Sequence, residues 1–185
     1  HYVYYVNEQK AEIIGTDQFF STGSTVTTAC MSTSGEWIAG KARLITPIEG
    51  SQFPDEQIIP YRYNTRTKEF TPYTTSEHHE TGATTIFNNG LMAVGTPIEN
   101  PYRTLMFFID GYYYNLELIL SERYGIDFMS ASGVENSGLA VSTSADGRTI
   151  ACIAVNEGNY VVTLPESMEE AAKGVNLLAR STVTP

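Results

Sequence analysis

Positive charge is what this sequence lacks most. Only 11 Lys and Arg stand against 21 Asp and Glu, for a formal net charge of −10. Phosphate binding needs clustered cations, so a nucleic-acid partner is excluded. Long apolar runs are missing too. Nothing approaches the roughly 18 consecutive apolar residues of a membrane-spanning helix, so no membrane insertion is expected. Cysteine is scarce: Cys30 and Cys152 both lie inside apolar, strand-like runs. They read as buried thiols, with a disulfide between them as the alternative. The signatures G-x-S-x-G and H-E-x-x-H are absent, and the glycines do not space like a phosphate-binding loop. No catalytic residue, metal or cofactor is assigned. The chain starts at His1 rather than Met, which reads as a processed or excised piece whose targeting segment, if any, is missing.

What is present suits pleated sheets. Hydrophobic residues make up 42% and charged residues 17%, too apolar a balance for disorder. Tyr, Thr, Ser, Gly and β-branched aliphatics dominate, as expected of strands with polar outer faces. One phrase recurs: "STSGEWIAG" (Ser32–Gly40), "NNGLMAVG" (Asn88–Gly95) and "ADGRTIAC" (Ala145–Cys152) each set a glycine turn before an apolar run. The turn glycines Gly35, Gly90 and Gly147 stand 55 and 57 residues apart. "VNEQKAEI" (Val6–Ile13) overlays "YNTRTKEF" (Tyr63–Phe70) at the same 57-residue offset.

The spacing predicts an all-β fold of repeated four-stranded antiparallel blades, propeller-like, with about three blades visible and one short C-terminal helix. A partial blade falls in 1–14, full blades in 24–74 and 83–120, and a second partial blade in 137–164. A compact three-unit assembly or a β-sandwich is the alternative. Asn89-Gly90 and Asp110-Gly111 read as hairpin turns, because a type I′ turn needs positive φ at both central residues. "NLELILSERYG" (Asn115–Gly125) fits a helix as well as a strand, and the repeat favours a strand over Tyr112–Leu120. In 165–185 Ser167 and Glu170 form a capping box for a helix that Gly174 stops, and a linker to a following domain comes after.

Tight turns at one end and long connections at the other place any binding site on the long-connection face. His78 and His79 in "SEHHE" are candidate ligand contacts there, though adjacent histidines in an extended loop diverge. Asp55, Glu56, Glu99, Glu122, Asp127 and Glu135 lie on the same face, where two could meet as a glycosidase pair or a calcium site. Tyr61 with Tyr63, and Tyr112 with Tyr114, share a side of their strands and could stack on a sugar or anchor a protein. Packing within the sheet is the competing role for these rings.

The "SADGRTIA" phrase (Ser144–Ala151), with its weaker echoes at Ser34 and Asn89, resembles bacterial extracytoplasmic β-propeller repeats such as TolB-like domains. The resemblance spans most of residues 1–164. It implies a segment of a larger extracytoplasmic surface protein, periplasmic, cell-surface or secreted. Its partner would be a protein or glycan, or neighbouring blades or domains of the same parent chain. "LLARSTVTP" resembles the linker and first strand of a fibronectin type III module. The functional expectation is a binding or scaffold module presenting long loops, with a non-enzymatic role favoured over catalysis. A polysaccharide or peptide hydrolase using paired loop carboxylates is the alternative.

Overall fold

The computed structural model describes residues 2–14, 25–52, 55–75, 83–95, 105–109, 112–132, 139–154, 158–173, 175 and 179–183. Within them the chain is mostly β, and every strand pairing is antiparallel. The first hairpin is β1 (Tyr2–Tyr5) with β2 (Lys10–Ile13). A meander follows: β3 (Thr25–Met31), β4 (Trp37–Thr46), β5 (Asp55–Asn64) and β6 (Phe70–Thr75). A second meander is β7 (Ala83–Ile86), β8 (Met92–Gly95), β9 (Leu105–Ile109) and β10 (Tyr112–Asn115). Two helices, α1 (Leu116–Tyr124) and α2 (Phe128–Ser132), then lead to a three-stranded sheet of β11 (Leu139–Thr143), β12 (Thr149–Ala154) and β13 (Gly158–Thr163). Helix α3 (Met168–Ala172) and strand β14 (Ala179–Val183) end the order.

Three tight turns share one chemistry. Ser32 N–H donates to Trp37 O and Gly35 N–H to Ser32 O; Ser144 N–H donates to Thr149 O and Gly147 N–H to Ser144 O. Both serine hydroxyls accept from the strand that returns, from Trp37 N–H at 3.0 Å and Thr149 N–H at 2.9 Å. The middle turn is a residue shorter, closing Phe87 N–H on Leu91 O and Gly90 N–H on Phe87 O. Each glycine sits at positive φ (74°, 84° and 70°), where a Cβ would meet the following carbonyl. Asn88 ties the three turns together. Its Oδ1 accepts from Thr33 Oγ1 (2.9 Å) and Ser34 N–H (2.8 Å), and its Nδ2 donates to Ala145 O (3.1 Å).

A register shift marks the first strand of each of these hairpins. The unpaired residues are Ala29, Thr84 and Val141, each six positions before its turn glycine. Prolines are placed by their missing N–H. Pro60 pairs only towards β4, since β5 meets β6 just over Tyr61–Tyr63, and Pro72 pairs only towards β5.

Three cores lie between successive sheets. Val3 and Ile14 meet Val26, Ile38, Ile59, Tyr61, Tyr63 and Phe70, between the first hairpin and the first meander. Ala39 and Tyr73 meet Ile86, Met92, Val94 and Met106, between the two meanders. Ala93, Leu105 and Phe107 meet Ile150 and Cys152, together with α1 and α3, between the second meander and the third sheet. Each fully buried aliphatic or aromatic side chain contributes about 1.5–3 kcal/mol. Strand β14 pairs with both β6 and β10, so one nine-stranded ribbon runs through the two meanders and folds back on itself.

One expectation is corrected. The chain leaves the strand at Asn115, and Leu116–Tyr124 is helical. Asn115 Oδ1 accepts from Glu117 N–H and Leu118 N–H, and Gly125 closes the other end at φ 65°. Local caps at both ends outweigh the β-alternation of "LELIL". Ala179–Val183 of the tail is a strand paired with β10 and β6. Ser167 caps α3 by accepting from Glu170 N–H, as the sequence predicts. The Asp110-Gly111 turn and Gly174 lie outside the described residues.

Gly90 carries a second constraint besides its φ: a Cβ there would sit 2.9 Å from Trp37 Cε2, whereas a Cβ on Gly35 meets nothing within 4 Å. Gly35→Ala is expected to cost about 1–2 kcal/mol of stability from strain alone. Gly90→Ala should cost about 2–4 kcal/mol, overpacking added to strain. Urea unfolding of the two variants checks the order; equal losses would show that Trp37 moves aside freely.

Candidate functional site

Helix α1 turns Leu116, Ile119 and Leu120 into the core between the second meander and the third sheet. On its other side an open cleft of about 540 Å³ is lined by Asn115, Glu117, Leu118, Ser121, Gly125, Asp127 and Phe128. The cleft spans the junction of the second meander with its connection to the third sheet: Ser121, Gly125, Asp127 and Phe128 fall in the long connection read from the sequence, and Asn115, Glu117 and Leu118 in the stretch read as strand.

Local hydrogen bonds fix its walls. Asn115 Oδ1 caps α1, at 2.7 Å from Glu117 N and 3.3 Å from Leu118 N. Past Gly125 the chain turns, and Asp127 Oδ1 accepts from Ser130 N–H at 3.1 Å, starting α2. Phe128 is buried and meets Tyr160 edge-on, ring centroids 5.3 Å apart. Beneath it burial pushes the Tyr160 phenol well above its ordinary value, and the Cys152 thiol up to about 11. The lining joins the apolar Leu118 and Phe128 to two carboxylates, a hydroxyl and an amide. Such a lining suits a ligand that offers an apolar face and hydrogen-bond donors: a sugar ring, or a peptide with basic side chains.

The far end of α1 is pinned. Arg123 Nε and Nη2 reach Glu166 Oε1 and Oε2 at 3.1 and 3.4 Å, and Tyr124 donates its hydroxyl to Glu166 Oε1 at 2.8 Å. The Arg123 hydrogen bond, with Tyr124 second, holds the Glu166 carboxyl below the usual range. The group is exposed, so the pair steers the helix more than it stabilises the fold.

The residues picked from the sequence are scattered. Tyr61 and Tyr63 are buried in the core under the first hairpin, Tyr61 stacked on Phe70 at 4.8 Å, so neither ring offers a binding surface. Alternation places both rings on one face of β5; that this face is the covered one is a tertiary outcome. Tyr114 is half-buried against the core beside α1, and of Tyr112 only the backbone is described, paired with Ile109 and Arg180. His78, His79, Glu99 and Glu135 lie outside the described residues. Among the acids, Glu56 is engaged by Arg43 at 2.6 and 2.5 Å, Glu122 is exposed on α1, and Asp127 reaches the cleft. Glu117, Leu118, Ser121 and Phe128 were missed because their grouping needs the helix. Asn115 and Gly125, a cap pair bracketing nine residues, were the available signal.

Cys30 and Cys152 are free thiols. Burial raises Cys30 to about 12 and Cys152 to about 11, so neither thiol is ionised near neutral pH. At pH 8 the native protein is expected to resist alkylation, with both thiols reacting once urea unfolds it. Fast labelling of folded protein would contradict the burial.

Acid titration gives a second check. The Glu166 pKa is lower folded than unfolded, so its contribution is present above the unfolded value and is lost as pH falls through the folded one. Glu166→Gln should flatten the acid limb of stability against pH while leaving the neutral-to-alkaline limb parallel to the parent.

No protein-family model, curated protein or solved structure matches the chain, so its role is argued from this geometry.

Proposed function

We propose that the chain is an extracytoplasmic binding or scaffold module, a propeller-like arc of TolB-like repeats, that presents its long connections to a protein or glycan. One observation carries the reading. The tight turns gather at one end, locked by Asn88, while the connection after β10 builds a cleft that sets Leu118 and Phe128 beside Glu117 and Asp127. A stiff frame that carries a cleft on one of its connections is a usual arrangement for recognition. The shared spacing of 55 and then 57 residues, in the turn glycines and in the unpaired strand residues alike, supports the repeat. The net charge of −10 favours a cationic or neutral partner over a polyanion.

A hydrolase is the second reading, favoured by Glu117 and Asp127 lining one cleft. Against it, Asp127 already caps α2. Turnover of glycoside or peptide substrates that Glu117→Gln abolishes would establish the hydrolase.

The test of binding is a glycan array together with a pull-down, each run with the parent and with Glu117→Lys/Ser121→Arg. These changes line the cleft and leave the core intact. Ligand captured by the parent and weakened about tenfold or more in the variant is the expected result. No ligand in either assay, or one held equally by the variant, would sink the cleft as the site.

A further inference from the structure

Three cross-strand rows occupy the same register next to the tight turns. They are Cys30–Ala39–Arg62 in the first meander, Thr85–Ala93–Phe107 in the second and Ser142–Ala151–Val161 in the third sheet. The first two rows are covered by the sheet that follows. Ala39, Ala93 and Phe107 are fully buried, and Arg62 is held over the Trp37 ring with Nη1 on Gly90 O at 3.0 Å. The third row is bare: Val161 is 65% exposed, with Ile153 at 42% and Val141 at 51% on the same sheet. The opposite side of that sheet, with Ile150 and Cys152, is closed by the second meander.

The bare face carries no charged side chain among the described residues: Ala151 and Ile153 of β12 face out with Asn159, Val161 and Thr163 of β13. At the other end of the stack the first hairpin covers its inner side with Val3 and Ile14, while Tyr4 is 60% exposed across from Ala11. Among the described residues the stack thus exposes apolar side chains at each end, Tyr4 at one and Val141, Ile153 and Val161 at the other, in a molecule of net charge −10. Inside the chain every such face is closed by the next sheet in order, forward side against backward side.

We propose that the β11–β12–β13 face is a docking surface for a second copy of this chain, joined head to tail, with the Tyr4 side of its β1–β2 hairpin over Val141, Ile153 and Val161. The contact continues the packing order that runs through the molecule. Two different faces meet, so the interface is heterologous, and it closes into a ring or extends as a row according to the rotation per copy. Salt strengthens the association by screening the repulsion between acidic flanks.

The experiment is sedimentation of the purified chain over a range of concentrations at low and high salt. The expected mass is a multiple of the 20.4 kDa protomer, rising with salt. Val161→Glu should weaken association by at least about tenfold with an unchanged circular dichroism spectrum; Val161→Ser serves if the Glu variant misfolds. Mixing Tyr4→Cys with Val161→Cys under oxidation should link one copy of each. A monomer at every concentration and salt, association that Val161→Glu and Val161→Ser leave untouched, or Val161→Cys linking to itself would each overturn the proposal.

Discussion

Both faces of each meander are apolar, and the rest of the structure follows from that. A sheet with one wet face can stand on a single neighbour; a sheet with two dry faces needs a neighbour on each side. In the second meander Met92 points one way into Ile86 and Ala39, and Phe107 points the other way into Ile150 and α1. Neither direction can be opened to water without exposing residues that are now wholly buried. The sheets are therefore stacked by necessity, and the order of the stack follows the order of the chain.

Close stacking needs small residues where sheets approach. Ala39 and Ala93 fill that role at equivalent registers, both with no exposed surface. Large groups come from the neighbouring strand instead, and at the first junction that group is Arg62. Its guanidinium lies 4.9 Å from the Trp37 ring centroid and 5.6 Å from that of Tyr73. A cation over two aromatic faces is stabilised by their quadrupoles, worth more as water is excluded. One hydrogen bond to Gly90 O carries the link into the second meander. The same glycine must stay bare for Trp37 to lie against it, so turn, ring and cation hold one another.

Much of this organisation was legible in the sequence, for a physical reason. Glycine at positive φ and Ser or Asn closing a turn act within six residues, so Ser32–Trp37 and Ser144–Thr149 announce themselves. The Ser167 cap is equally local. Leu116–Tyr124 is ambiguous in the sequence because "LELIL" satisfies a two-residue and a helical period together, and only the caps at Asn115 and Gly125 decide. The cleft shared that fate. Asp127 could be named as a loop acid, but its company of Glu117, Ser121 and Phe128 exists only once α1 is formed. Tyr61 and Tyr63 show the other limit: alternation assigns a shared face, and only the neighbouring hairpin decides that the face is dry.

The unpaired residues Ala29, Thr84 and Val141 share no side-chain chemistry, yet each falls six positions before its turn glycine. Nothing local in Ala, Thr or Val dictates a bulge, so the cause must lie in what the three hairpins have in common. An extra residue bends its strand and sharpens the local twist. All three strands beside the junctions carry it, including β7, which packs against the first meander on one side and the third sheet on the other. The bulge is best understood as the means by which a strand at a crowded junction turns clear of the sheets flanking it. Backbone geometry imposed by packing thus recurs where the side chains do not, and a reading of residue types alone passes over it.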